Sequence, residues 1–360
     1  MKNKTLMFYI NAIHDGGAER VMLQLTNRFT GLGYRCILVT SFRDEFEYPV
    51  PDGVERLSIE EEQSRAGKIK KNLSRISALR RFCKKYRPAA LISFMAEPNM
   101  RALIATMGLG IKNIVSVRNV PEKEYAGRVL GFVGRHLLPL AEGCVFQTKD
   151  AMSWFPEKLQ RKSEIIMNQV SRIFFDESPA EEKRDIITAG RLAEQKNQKM
   201  LIRAYARLGQ IEDRLIIYGM GEMRDELEAL IAELKLEGRV ILAGQSSNVP
   251  RDIKGAKIFV LPSDFEGMPN ALLEAMALGL CCVSTDCPCG GPRAVIENGV
   301  NGRLIDVGDE DALASVLADL LADGEMRRTL AENARESAKK FSPDMIFEKW
   351  RAYVERVLEE

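Results

Sequence analysis

Short apolar runs alternate with segments of helical period along the chain. Thr5 to Ile10, Cys36 to Thr40, Leu91 to Phe94 and Ile114 to Val117 are such runs in the first half. Asp185 to Ala189, Leu215 to Tyr218, Val240 to Ala243, Ile258 to Leu261, Cys281 to Thr285 and Leu304 to Val307 follow in the second. Runs of this kind mark strands buried on both faces, as in parallel sheets covered by helices. Between them, Ala18 to Phe29, Gln198 to Leu208 and Pro343 to Leu358 place apolar residues at helical steps. Each half opens strand, helix, strand. The expected fold class is α/β with two domains, which a chain of 360 residues is long enough to hold. The charged, proline-bearing stretch Asp176 to Arg184 reads as the linker.

In such folds ligands gather at the carboxyl ends of strands and against helix N-termini. The most informative junction is Lys257 to Gly279, KIFVLPSDFEGMPNALLEAMALG. A strand, Ile258 to Leu261, runs through a polar turn, Ser263 to Gly267, into a helix starting near Pro269. Glu266 stands on the turn and Glu274 within the helix, on roughly the face that looks back toward the turn. Two carboxylates so placed suit two sets of hydroxyls, while the helix-start amides of Met268, Pro269's neighbour Asn270 and Ala271 suit an anion. Hydroxyls plus phosphate point to a sugar nucleotide. Other strand-to-helix turns carry Gly16-Gly17-Ala18-Glu19-Arg20, Arg118-Asn119, Gly190 to Asn197 (GRLAEQKN) and Gly219-Met220-Gly221.

The element E-x7-E in its setting DFEGMPNALLEAMALG, with GGAER and GRLAEQKN in matching order, resembles the retaining glycosyltransferases of family 4 over nearly the whole chain. The resemblance implies a GT-B fold, two Rossmann-like domains facing across a cleft. The acceptor-binding domain is expected at residues 1–175, completed by a C-terminal helix over 343–360, and the donor-binding domain at 176–342. Catalytic roles are implied for Glu266, Arg118, Arg191 and Lys196. Donor binding falls to Gly16, Gly17, Arg191, Lys196, Gly219, Gly221, Glu266, Gly267, Met268, Pro269, Asn270 and Glu274, with Glu266 holding donor-sugar hydroxyls and Glu274 the ribose. Acceptor binding falls to Glu19, Arg20, Lys68, Lys71, Arg75, Arg118 and Asn119. Many family members carry histidine where this chain has Arg118. An arginine stays protonated and acts by charge, so no general base is expected at that corner. Gly143 to Thr148 resembles the last strand of the first domain, and Ile165 to Val170 stands where the family usually has a proline after the asparagine. Here that residue is Gln169.

The implied donor is a UDP-hexose or UDP-N-acetylhexosamine, the acceptor a lipid-linked or growing surface saccharide, with no cofactor and no metal. Asp309-Glu310-Asp311 spells a D-x-D site but reads as a helix cap. A sugar-nucleotide epimerase of the same architecture and a non-catalytic nucleotide-binding partner subunit are the alternatives. With only His14 and His136, the chain has few histidines for an epimerase's acid and base groups.

Charge adds one feature. Lys and Arg total 52 against 51 Asp and Glu, so no global field favours nucleic acid. The segment 65–87 is nonetheless basic and free of acidic residues, with Ile69, Leu73, Ile76, Leu79, Cys83 and Tyr86 as an apolar stripe. Such a helix is expected to dock on an anionic membrane surface, which is worth about 1 kcal/mol per basic residue near the lipid. In the family a basic helix of this domain contacts the lipid pyrophosphate, with Lys68, Lys71 and Arg75 as the matching residues. No apolar run is long enough to span a bilayer and no cleavage site follows the N-terminus, so a cytoplasmic, peripherally bound protein is expected. Seven cysteines, an odd number, fit a reducing compartment.

Overall fold

The computed structural model describes residues 4–14, 16–44, 46–60, 67–178, 180 and 183–360, and does not describe the Lys68 side chain. The chain divides into two compact units, Met1–Asn168 with Asp344–Glu360, and Gln169–Pro343. The division thus falls earlier than residue 175, and Asp176 to Arg184 lies within the second unit.

The first unit is built on seven parallel strands, β1 (Thr5–Ile10), β2 (Arg35–Thr40), β3 (Glu55–Ser58), β4 (Ala90–Phe94), β5 (Lys112–Ser116), β6 (Gly143–Phe146) and β7 (Ser163–Ile165), ordered β3-β2-β1-β4-β5-β6-β7. The strands of the sheet centre are apolar along their length because helices cover both faces. The helices that matter below are α1 (Gly17–Gly31), α2 (Lys68–Tyr86), α3 (Ala96–Thr106), α4 (Pro121–Glu124) and α5 (Gly127–Phe132). The C-terminal helix Pro343–Glu359 is integral to this unit. It buries Trp350 against Phe94, and its Tyr353 hydroxyl accepts the Cys144 N–H of β6 at 2.7 Å.

The second unit repeats the plan with six strands, β8 (Arg184–Ala189), β9 (Leu215–Tyr218), β10 (Val240–Gly244), β11 (Ala256–Leu261), β12 (Cys281–Thr285) and β13 (Arg303–Ile305), ordered β10-β9-β8-β11-β12-β13. In each unit the order turns back on itself beside the first strand, the switch point where α/β sheets hold ligands. Here β8 pairs with β11, so the loops that follow them are neighbours.

Most strands lie where their apolar runs placed them. β3 was not anticipated, because Glu55-Arg56-Leu57-Ser58 has a single apolar residue, Leu57, at the sheet edge. Ile165 to Val170 is a strand only as far as Ile165. The cap reading of Asp309 is correct, since its carboxylate accepts the Ala312 N–H at 2.8 Å.

Candidate active site

In the second unit the loop 190–197 after β8 is fastened to the loop 263–267 after β11. Lys196 Nζ meets Glu266 Oε1 at 2.6 Å, and the Ser263 hydroxyl donates to the same oxygen at 2.7 Å. Glu266 is only 7% exposed, so this is a partly desolvated, charge-assisted pair and carries more than a surface ion pair does. The backbone adds further stitches. Asp264 N–H donates to Gln195 O at 2.9 Å, Gln195 Nε2 to Phe265 O at 2.8 Å, and Asn197 Nδ2 to Asp264 Oδ1 at 2.7 Å. Gln195, Asn197 and Asp264 were not singled out from the sequence, although two of them stand inside the GRLAEQKN motif.

Three glycine contacts brace these loops from behind. A Cβ on Gly219, whose φ is 142°, would meet Gly190 O at 1.8 Å, so the turn after β9 seats its backbone directly on the loop 190–197. A Cβ on Gly291 would meet Gly267 O at 2.0 Å, and Glu266 N–H donates to Pro288 O at 2.7 Å. Gly221 makes a similar close approach to Leu192 O. Arg191 is exposed, and among the described residues no carboxylate pairs with it. The helix Asn270–Ala277 begins at Pro269 without a side-chain cap, with Met268 buried just before it. Glu274 lies little more than one turn inside this helix and is half-buried.

In the first unit the corner after β5 places Arg118 in an unusual setting. Its guanidinium stacks over Phe94 at 4.4 Å and Trp350 at 5.9 Å, and Nε, Nη1 and Nη2 are all inaccessible with no hydrogen-bond partner. Burial lowers its pKa to about 9, against the attraction of Glu124 and Glu19, so it remains a cation at neutral pH. Buried donors without partners are costly, and a group left so in a folded protein calls for a functional reason. Asn119 is exposed and spends its side-chain oxygen on the Val120 N–H at 2.8 Å. At α1 the expected phosphate-binding glycines are covered. The Glu19 carboxylate folds back so that a Cβ on Gly16 would lie 1.7 Å from its Oε2, with Gly17 as the first helical residue. Burial raises the Glu19 carboxyl above the ordinary carboxylate value, opposed by its own amide and by His14 and Arg118. Arg20, on the same turn, is half-buried.

Residues 169–337 match the family model described as glycosyl transferases group 1. The second unit carries the group 1 region, and the chain is a glycosyltransferase. It is 27% identical over 361 residues, 98% of either chain, to a Campylobacter jejuni enzyme named GalNAc-alpha-(1->4)-GalNAc-alpha-(1->3)-diNAcBac-PP-undecaprenol alpha-1,4-N-acetyl-D-galactosaminyltransferase. A second enzyme of that organism, an N-acetylgalactosamine-N,N'-diacetylbacillosaminyl-diphospho-undecaprenol 4-alpha-N-acetylgalactosaminyltransferase, is 28% identical over 93% of this chain and 95% of its own. Among solved structures, Anabaena HepE in complex with UDP and glucose superposes with a TM-score of 0.84 at 18% identity, covering 98% of this chain and 100% of that one. The fold is GT-B, as the motifs implied.

Two expectations for this transferase's basic helix need correction. Arg75 is buried and held by Glu60, Nε to Oε1 at 2.9 Å and Nη2 to Oε2 at 3.2 Å, with its face over Phe42 at 5.6 Å. A guanidinium so engaged serves the packing of α2 and is not presented to a lipid pyrophosphate. The apolar stripe also splits. Leu79 and Cys83 are in the core, whereas Ile69 and Leu73 are 79% and 64% exposed. Ile76 and Tyr86 pack against the cluster that holds Leu79 and Cys83, and Ile69 and Leu73 do not join it. Lys71 is half-buried on that N-terminal half; residues 65 and 66 and the Lys68 side chain lie outside the described residues. All seven cysteines are buried and free, and among the described residues no cluster has the make-up of a metal site.

Proposed function

We propose that this transferase moves a hexose or N-acetylhexosamine from a UDP-sugar, with retention of anomeric configuration, onto a saccharide carried on a polyprenyl diphosphate. The observation that carries the reading is the Lys196–Glu266–Ser263 group beside the uncapped start of the helix Asn270–Ala277. It puts a cation, helix amides and a hydroxyl acceptor within one loop system, the set that a departing nucleoside diphosphate and its sugar require. Arg191, Lys196 and the amides of residues 268–270 stabilise the diphosphate as its bond to the sugar breaks. Glu266 holds donor-sugar hydroxyls and Glu274 the ribose. A donor phosphate oxygen takes the proton of the attacking acceptor hydroxyl on the same face, so retention needs no protein base, and the positive charge comes from side chains and amides without a metal. Arg118 supplies its unused donors to an acceptor or phosphate oxygen, with Glu19 beside it. HepE, solved with UDP-glucose, supports a UDP donor, and the names of the two Campylobacter relatives support an undecaprenyl-diphosphate acceptor.

The protein works from the cytoplasmic face of the membrane, docked through the first unit. Ile69 and Leu73 stand out from an acid-free helix, and α3 packs against α2 on one side and against residues 133–140 on the other. The segment 127–140, GRVLGFVGRHLLPL, is also acid-free and exposes Val129, Phe132 and Leu140. Among the described residues no helix is long and apolar enough to cross a membrane. The deciding assay is UDP release from a panel of UDP-sugars with and without a detergent-solubilised polyprenyl-diphosphate oligosaccharide. Release with one donor that rises on adding acceptor supports the proposal. Release from no donor, with Glu274→Ala as blank, refutes it.

A further inference from the structure

Glu124, the last residue of α4, was not among the residues singled out from the sequence. Its Oε1 accepts the Ala96 N–H, at the start of α3, at 2.7 Å. The backbone of Arg118 and Asn119 favours the ionised form of the same carboxylate, while Oε2 is inaccessible and has no hydrogen-bond partner. A side chain on the helix that follows the β5 loop thus holds the loop after β4 through the Ala96 N–H. That loop needs holding. Met95, just before Ala96, has φ 76° and ψ 157°, a strained conformation for a residue with a side chain, and its N–H reaches across to Ser116 O at 3.1 Å. The residue after Glu124 reinforces the tie, since the Tyr125 hydroxyl accepts Asn99 Nδ2 at 3.3 Å.

We propose that Glu124 is a positioning residue of glycosyl transfer, fastening the β4 and β5 loops to each other and setting a negative charge near the Arg118 cation. The inference rests on the reading of Arg118 as a substrate contact. The charged groups around Glu124 are few. Arg118 attracts it from the β5 loop, Glu19 acts on Arg118 from α1 while His14 in the turn before α1 acts on Glu19, and Tyr125 and Cys144 are buried neighbours kept neutral by desolvation. Burial lifts the Glu124 carboxyl to about 7. Below that pH it is neutral, its hydrogen bond from Ala96 weakens and the negative charge near Arg118 is lost; above it both are restored.

The test is kcat/KM for the acceptor, by UDP release, across about pH 5.5 to 8.5 for the wild-type chain, Glu124→Gln, Glu124→Asp, Arg118→Gln and the Glu124→Gln/Arg118→Gln double variant, with circular dichroism melts to establish folding. The wild type is expected to lose activity as the pH falls through about 7. Glu124→Gln keeps the Ala96 bond, and is expected to be flat over that range and lower by on the order of tenfold at the high end, the usual weight of a group that supports a reactive one. Glu124→Asp restores part of the rate and the limb, which a merely structural side chain does not do. The double variant is no worse than Arg118→Gln. An acid limb that persists in Glu124→Gln, or a Glu124→Gln rate within about twofold of wild type alongside an impaired Arg118→Gln, overturns the positioning role alone. An unimpaired Arg118→Gln overturns the underlying reading of Arg118.

Discussion

Lys196→Ala tests the donor-site reading most directly, because the structure gives the substitution two separable consequences. Lys196 Nζ is 2.6 Å from Glu266 Oε1, and their side chains are 22% and 9% exposed. Removing the ammonium leaves a nearly buried carboxylate with the Ser263 hydroxyl as its remaining side-chain donor. Breaking a fully buried pair from one side costs about 3–5 kcal/mol, and the exposure of Lys196 reduces this to about 2–3 kcal/mol. For a unit of this size that lowers the melting temperature by about 4–12 °C. Glu266→Gln in the same background removes the stranded charge, so the double variant should recover about 1–2 kcal/mol of the loss. Catalysis should not recover with it. A cation aimed at the charge that develops on a leaving group is worth about a hundred- to a thousandfold in kcat, and neither single variant nor the double one replaces it. Scanning calorimetry and UDP release at saturating donor read the two effects on one preparation. A Lys196→Ala protein that is folded and retains kcat within about threefold of wild type would refute the assignment, whatever its melting temperature.

Three further outcomes are expected. Gly291→Ala drives a Cβ to 2.0 Å from Gly267 O, so the loop bearing Glu266 must shift, and donor KM should rise with kcat falling by about tenfold or more while far-UV circular dichroism is unchanged. Ile69→Asp with Leu73→Asp should weaken flotation with vesicles rich in anionic lipid by about tenfold and leave UDP release from a detergent-solubilised acceptor intact; unchanged flotation would remove α2 from the docking face. Arg75→Ala should destabilise the fold by about 1–3 kcal/mol through loss of the Glu60 pair, read as a lower melting temperature, with vesicle binding little changed, because its guanidinium is committed inside the protein.

The strand runs, the strand-to-helix turns and the residues standing on those turns were legible in the chain itself. Apolar continuity over a few residues reports burial on both faces of a sheet, and the turn that follows is local, so GRLAEQKN, DFEGMPN and Arg118-Asn119 could be placed at strand ends without coordinates. Which turns meet is a different matter. Lys196 and Glu266 are 70 residues apart and touch because the sheet sets β8 beside β11, an order that no local pattern encodes. Ala96 and Glu124 are 28 residues apart and meet because β4 lies beside β5. The same holds for the side chains that proved to be committed elsewhere. Arg75 and Glu19 are read from the sequence as acceptor-binding residues, yet one is claimed by Glu60 just beyond β3 and the other folds back over Gly16. Hydrophobic periodicity selects the elements, since it depends on neighbours along the chain. Pairing of charged groups depends on strand order and loop packing, and these are properties of the assembled sheet.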